Sequence, residues 1–159
     1  MKAVKIIGNG ILTVLLAASF AVCTYAQEKP WSKPLLIPSQ KVEAAFKHAL
    51  PIPDLTSGMS GNAKYRVRAS RHDGPTDVEI HILDTNIFYI TAGEATMVVG
   101  GKAVGVHKVA PFEWRGKSIE GGTTYHLKKG DIMIVPRDTP QWFEKIPSAP
   151  FLFILVKVQ

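Results

Sequence analysis

The sequence predicts an all-β protein of one domain, a small antiparallel barrel or sandwich preceded by a short helix. From residue 64 onward, short apolar stretches follow one another with Gly, Pro, Asn and Asp between them, which is the pattern of strands joined by turns. No long helical pattern interrupts these stretches. Once residues 1–26 are set aside, 133 of the 159 residues remain, which is one domain's length. This combination favours a barrel or sandwich of short strands.

The predicted helix lies just before the strands. Ser39 is suited to be its N-cap, and the helix is predicted from Gln40 to Leu50 with an apolar stripe on one face. Pro51 and Pro53 end it. The predicted strands are Tyr65–Ala69, Val78–Leu83, Ile87–Thr91, Ala95–Val99, Thr123–Leu127, Ile132–Val135, Trp142–Phe143 and Phe151–Val158.

The first 26 residues have the layout of a secretory signal peptide. Two lysines precede the apolar run Ile11–Val22, and small residues stand before a predicted cleavage site after Ala26. The apolar run is shorter than the roughly 20 residues that span a bilayer. We therefore expect export to the periplasm or medium, and no stable membrane span in the mature chain. Residues 27–63 are then a proline-rich extended segment plus the helix, and residues 64–159 are the barrel.

Cys23 raises the alternative of a lipid anchor, because a cysteine at the end of a leader is the lipid attachment site of bacterial lipoproteins. Val22 stands where such a site requires a small residue, so the sequence favours cleavage after Ala26. The mature chain then contains no cysteine, which excludes disulfides and thiolate chemistry.

The charge pattern argues against nucleic-acid binding. The formal net charge is +6, and it falls to +4 without the two leader lysines. The remaining basic residues are scattered and form no dense tract with interleaved aromatic residues. We therefore expect a small-molecule ligand and no nucleic acid.

The strand that contains Glu79 and His81 is the first candidate for chemistry. Alternate side chains of a strand point to the same face, so these two share one face while Val78, Ile80 and Ile82 share the other. A buried carboxylate needs partners, and a Glu beside a His can act as general base and acid. Glu79 and His81 are our candidate catalytic residues.

Two later stretches resemble the consecutive motifs of the cupin superfamily, GxxxxxHxHxxxxExxxxxxG and GxxxxxPxGxxHxxxN. Gly93 corresponds to the closing glycine of the first motif, and Gly130 and Pro136 to the opening glycine and the proline of the second. The resemblance extends over roughly residues 65–158. It implies a single-domain cupin-type β-barrel, or jelly roll, with a ligand in the barrel cavity.

The same resemblance assigns a metal site, whose four ligands would be Glu79, His81, Asn86 and Gln141. Only His81 keeps the residue type usual in the family; Asp138 and Lys145 also depart from the second motif. Carboxylate, amide and one imidazole suit Mn²⁺, Mg²⁺ or Ca²⁺ better than Zn²⁺ or Fe²⁺. The alternative is that these four groups bond one another without a metal ion. The cofactor therefore stays open between a divalent metal and none.

Further candidates surround these positions. Tyr89, Trp142 and Phe143 would line the cavity, and Arg115 would bind a carboxylate through two parallel hydrogen bonds. Residues 100–122 form a long connection, which suggests either a lid or a surface excursion. His72 is expected in an exposed turn, and His107 could supply a missing metal ligand. Since many cupins pair through sheet edges or exchanged N-terminal segments, the resemblance also implies a homodimer.

The function predicted from the sequence is that of an exported protein binding a small polar organic molecule in its cavity. The alternative is a divalent-metal enzyme of oxygenase, isomerase or lyase type that uses Glu79, His81 and Gln141.

Overall fold

The computed structural model describes residues 34–47, 55–56 and 64–159. The predicted leader and most of the proline-rich segment lie outside this part of the chain. The described residues form one helix and ten strands: α1 Ser39–Phe46, β1 Tyr65–His72, β2 Val78–His81, β3 Thr85–Val99, β4 Lys102–Val104, β5 His107–Ala110, β6 Glu113–Gly116, β7 Ser118–Glu120, β8 Thr123–Lys128, β9 Ile132–Val135 and β10 Gln141–Val158. The prediction of an all-β fold with a short N-terminal helix is confirmed.

Helix α1 begins one residue earlier than predicted. Ser39 is already helical, and Pro38 is the N-cap residue, whose carbonyl oxygen accepts bonds from the backbone N–H groups of Lys41 and Val42. No side chain caps this end, so the predicted N-cap role of Ser39 is wrong. Ala45 packs with Leu55 and Ala69, which fixes the helix against β1.

Strand β10 organises the main sheet, because it pairs antiparallel with β1, β2 and β3. The eight-stranded sheet has the order β5-β6-β2-β10-β3-β8, with β1 alongside β10 and β9 alongside β3. Within the described part of the chain this ladder does not close on itself, which is compatible with a jelly roll. No helix among the described residues is long and apolar enough to cross a membrane.

Two pairs of predicted strands turn out to be single strands. Residues 87–91 and 95–99 both belong to β3, and residues 142–143 and 151–158 both belong to β10. Gly93 takes a φ of 77°, and register shifts follow between Phe143 and Phe153 on β10. A glycine that bends a strand without ending it was interpreted from sequence as a turn.

Residues 100–122 are not an irregular connection, because this segment is built from strands β4 to β7. Strand β4 pairs with β7, and β5 pairs with β6. Gly100, Gly101 and Gly105 have positive φ, so they form the tight turns between short strands. Strand β6 also pairs with β2 and places Arg115 directly opposite Glu79.

The hydrophobic core lies between β3 and β10. Phe88 and Ile90 of β3 and Phe151, Phe153 and Leu155 of β10 point inward and are almost fully buried. Neighbouring phenyl rings of this cluster lie 5.3–5.7 Å apart in tilted and edge-on arrangements, which are favourable for aromatic pairs. Burying an aromatic side chain of this size stabilises the fold by about 1.5–3 kcal/mol. Some of these rings also form the floor of a polar cavity.

Candidate functional site

Two adjoining cavities lie inside the β structure. The inner cavity has a volume of about 70 Å³, and the outer cavity has a volume of about 270 Å³. Among the described residues, four line both cavities: Arg68, His81, Glu113 and Lys157. The inner cavity has an apolar floor made by Phe88, Phe143, Phe153 and Leu155. The outer cavity is strongly polar and opens beside Phe112.

Glu79 is the centre of the polar wall. Its Oε2 lies 3.1 Å from His81 Nε2 and accepts a hydrogen bond of 3.3 Å from Gln141 Nε2. Its Oε1 lies 3.1 Å from Arg115 Nη1. The last contact is an ion pair without the alignment of a hydrogen bond, so the buried Nη1 keeps the capacity to donate one. Glu79 and His81 share one face of β2, as the alternation predicts.

These partners set the ionisation of Glu79. Burial alone would raise its pKa, but the hydrogen bond with His81 and the charge of Arg115 outweigh burial and lower the pKa to about 2. The charge of Lys157 acts in the same direction. Glu79 is therefore a carboxylate at neutral pH, held by cationic and polar neighbours.

Asn86 and Gln141 continue the same network. Asn86 Nδ2 donates to Gln141 Oε1 over 3.1 Å, and Gln141 in turn donates to Glu79. Both amides are buried. The four residues predicted as metal ligands are thus brought together and contact one another directly.

This arrangement does not fit a divalent metal ion. The guanidinium of Arg115 lies at the carboxylate that would be the single strong anionic ligand, and a second cation there would be repelled. The Oε1 of Gln141, which would be its ligand atom, already accepts a bond from Asn86. Among the described residues no cluster of three or more His, Cys, Asp or Glu has the arrangement of a metal site.

The four predicted ligand-binding residues have different locations. Arg115 and Phe143 line the inner cavity. Trp142 is half-buried and donates its indole N–H to the carbonyl oxygen of Thr76 over 2.8 Å, so it serves a structural role at this point. Tyr89 is about half exposed on the outer face of β3. The structure therefore does not bring Tyr89 or Trp142 to the cavities.

Strand β1 supplies four cavity residues, of which only His72 was considered from the sequence. Arg66, Arg68, Ser70 and His72 alternate with Val67 and Ala69, and each of the four lines at least one of the cavities. The alternation is visible in the sequence, where the arginines count only as part of a scattered positive charge. Ser70 is fully buried, and its hydroxyl has no hydrogen-bond partner among the described residues.

His72 is not the exposed turn residue that was expected. It ends β1, and its ring centroid lies 5.3 Å from those of Phe143 and Phe153. Burial lowers its pKa, against smaller opposing effects of Glu79 and Asp73. His107 lies on β5, exposed and away from both cavities, so it supplies no ligand there.

Lys157 is a further residue that the sequence analysis did not identify. It follows Phe151, Phe153 and Leu155 on the inward face of β10, so the apolar alternation ends in a buried ammonium group. Its Nζ lies 3.4 Å from Asp84 Oδ2, which also accepts a bond of 2.7 Å from Arg66. Burial lowers the pKa of Lys157 despite the opposing charge of Asp84. For Asp84, burial raises the pKa, and the charge of Lys157 with other partners lowers it below its usual value.

Comparisons with known proteins bear on the fold. No protein-family model and no curated protein matches the sequence. A solved protein from Neisseria meningitidis is 10% identical, with a TM-score of 0.50 over 80% of this chain and 100% of its own. A cupin-2 domain protein from Shewanella frigidimarina is also 10% identical, with a TM-score of 0.48 over 78% and 95% of the two chains. The coconut allergen cocosin is 15% identical, with a TM-score of 0.44 over 60% of this chain and 22% of its own.

The fold is of the cupin type. The two sequence motifs and the antiparallel β architecture agree on this point. The chain spans less than two thirds of the length of the first solved structures it matches. At identities of 15% or less, these structural similarities concern the fold alone. The activity has to be argued from the residues of the site.

Proposed function

We propose that the protein binds a small polar organic molecule in the two adjoining cavities and does so without a metal ion. One observation carries this proposal: within the described chain two polar atoms of the inner cavity wall make no hydrogen bond, Ser70 Oγ and Arg115 Nη1, although Nη1 is in ion-pair contact with Glu79. A buried polar group without a hydrogen bond costs about 1–3 kcal/mol. A ligand that supplies both partners would recover this free energy on binding.

The composition of the cavities supports the same reading. Small-ligand sites combine apolar walls with a few convergent polar groups. Here three phenyl rings form the floor, and charged side chains from β1, β2, β6 and β10 converge above it. The outer cavity, at about 270 Å³, lies just below the usual range of ligand-site volumes, so the ligand is expected to be smaller than a typical drug molecule.

The alternative of a metal-dependent enzyme using Glu79, His81 and Gln141 has less physical support. Arg115 occupies the position beside Glu79 in which a cation would have to bind. Glu79 itself, with a pKa of about 2, is a poor general base at neutral pH. The network is better suited to hold a fixed pattern of donors and acceptors than to transfer protons.

Binding is tested by thermal shift and titration calorimetry with a panel of sugars, organic acids and amino acids. We expect at least one class to raise the melting temperature of the purified protein. Ser70→Ala should then weaken its binding about tenfold, since it removes one hydrogen bond. Ser148→Ala, at an exposed position of β10, is the matched control and should bind normally. A panel without any thermal shift, or equal affinities of the two variants, would contradict the proposal.

Export is a separate part of the proposed function and is supported by the leader-like first 26 residues alone. If the leader is cleaved, mass spectrometry of protein from the periplasm or medium should find Gln27 as the N-terminal residue. Detection of the full chain in the cytoplasm would contradict export and leave the ligand site unaffected.

A further inference from the structure

We infer that the ligand is a neutral cyclic polyol, a single sugar ring, whose apolar face lies against the phenyl ring of Phe112 at the mouth of the outer cavity. This inference rests on the proposed function, because it specifies the ligand class and a contact residue of the same site. Two observations carry it: the strained backbone of Phe112, and the mixture of hydrogen-bond donors and acceptors on the cavity wall beside it.

Phe112 stands at a turn position that favours glycine. Pro111 and Phe112 form the two-residue turn between β5 and β6, and Phe112 has a φ of 63°. Proline at the first central position and a positive φ at the second are the features of a type II turn, whose second position usually holds Gly or Asn. A positive φ brings the Cβ of a bulky residue too close to the following carbonyl oxygen. The phenyl side chain is therefore retained at a cost in stability.

Packing within the protein accounts for little of this side chain. Phe112 is 56% exposed, and Leu83, its apolar neighbour on the cavity wall, is 40% exposed. The bond that fixes the turn to the end of β2 is made by the backbone, since the carbonyl oxygen of Phe112 accepts it from the N–H of Ile82 over 3.0 Å. Any residue at position 112 would make this bond. Strained residues cluster at ligand sites, so the exposed ring at the cavity mouth indicates a ligand contact.

The wall of the outer cavity beside Phe112 suits hydroxyl groups. Arg66 and Lys157 offer only donors, whereas Asp84 and Glu113 as carboxylates offer only acceptors. A hydroxyl both donates and accepts, so it bonds with both kinds of wall group. A charged ligand group of either sign meets a like charge among these residues. The ion pair of 2.7 Å between Arg66 and Asp84 holds both side chains in place before binding.

A sugar ring meets both requirements. Its hydroxyl groups lie around its edge, and its C–H groups form an apolar face that can stack on a phenyl ring, which removes apolar area of both partners from water. At about 270 Å³ the outer cavity has room for one such ring. An open-chain polyol with the same number of carbons lacks the rigid apolar face and loses more conformational freedom on binding. The ring itself is therefore the feature to test.

Titration calorimetry with matched probes tests the ligand class. Glucose, galactose and mannose are each compared with their own open-chain alditol and with lactate as a small anion. We expect at least one sugar to bind at least tenfold more tightly than its alditol and than lactate. Saturation-transfer NMR, with irradiation of the aromatic protons of the protein, should then give its largest signals at the ring C–H protons of that sugar.

Variants test the role of Phe112. Phe112→Asn removes the ring and introduces a residue that tolerates a positive φ. We expect it to weaken binding of that sugar at least tenfold and to melt no lower than the wild type, because relief of the strain offsets the few lost contacts. Phe112→Tyr keeps the ring and should bind within about threefold of the wild type. Tyr125→Asn, which removes an exposed ring of β8 outside both cavities, is the matched control and should bind normally.

The outcomes separate this inference from the proposed function. Equal binding of each sugar and its alditol, tighter binding of lactate, wild-type affinity of Phe112→Asn, or a clearly lower melting temperature of Phe112→Asn would overturn the sugar assignment. Absence of sugar binding at millimolar concentration would overturn it as well. A thermal shift with another class of the wider panel then keeps the proposed function, and a panel without any shift contradicts both.

Discussion

Glu79 shows how single residues set the chemistry of the cavity. Its side chain is 33% exposed, and three polar groups hold it ionised against the effect of burial. Alternation along the strand was enough to predict that Glu79 and His81 share a face. Their pairing with Arg115 could not be predicted, because it depends on the register between two strands that are 36 positions apart in the sequence.

The first prediction concerns the pH dependence of stability. The pKa of Glu79 falls from 4.5 to about 2 on folding, so its contribution is fully present above pH 4.5 and is lost as the pH falls towards 2. We therefore expect Glu79→Gln to lower the free energy of unfolding at pH 7, and this deficit to shrink steadily between pH 4.5 and 2. Urea unfolding of both proteins across this range measures it. A deficit that is independent of pH would show that the negative charge of Glu79 does not stabilise the folded protein.

The second prediction concerns the buried pair Lys157 and Asp84. Lys157 is only 5% exposed, so removing its partner leaves a buried charge. We expect Asp84→Asn and Lys157→Met each to lower the free energy of unfolding by about 3–5 kcal/mol, and the double variant to lose clearly less than the sum. A double-mutant cycle by chemical unfolding measures the difference. Strict additivity would show that the two groups do not interact.

At the scale of elements, the sequence predicted the position of most strands but not their continuity. The apolar alternation on both sides of Gly93 was correctly assigned to strands, yet the glycine was taken as a break. Gly93 bends the strand without ending it. Its φ of 77° and the close approach of the β10 backbone can be accommodated only by a residue without a Cβ, so the strand pairing continues past it. Asp138, which stands at the glycine position of the second motif, keeps a positive φ of 59°, which Asp tolerates better than most residues.

The third prediction follows from this bend. A Cβ at Gly93 would lie 2.5 Å from the carbonyl oxygens of Ser148 and Pro150, so backbone must shift. We expect Gly93→Ala to lower the free energy of unfolding by about 3 kcal/mol or more. Gly74→Ala is the matched control, because nothing lies within 4 Å of its added Cβ, and its effect should stay within about 0.5 kcal/mol. Equal melting temperatures of the two variants would contradict this role of Gly93.

At the scale of the whole molecule, the apolar periodicity and the turn residues were sufficient to predict the all-β fold class. The two motifs were sufficient to predict that the fold is of the cupin type. The segment 100–122 was not predictable in the same way, because its strands are three or four residues long. They are joined by glycine-containing turns and become strands through pairing with each other and with β2. The cavity depends on that pairing. Its cations come from three strands, β1, β6 and β10, that are remote in sequence, so the charge pattern appeared only in the folded chain.

The last prediction is that the protein forms a homodimer, as the sequence resemblance implied, through the outer face beside β9. Ile132 and Ile134 are 65% and 58% exposed, and Tyr89 is paired directly opposite Ile132 on β3. Within the described chain β9 pairs with β3 alone, so one edge of this apolar face is open to a second copy.

We expect light scattering to give the dimer mass at tens of micromolar. Ile132→Lys should raise the dissociation constant at least tenfold, since it places a charge in the interface, while Val109→Lys, exposed on β5, should leave it unchanged. A monomer mass at several hundred micromolar would refute the dimer, and a dimer insensitive to Ile132→Lys would place its interface on another face.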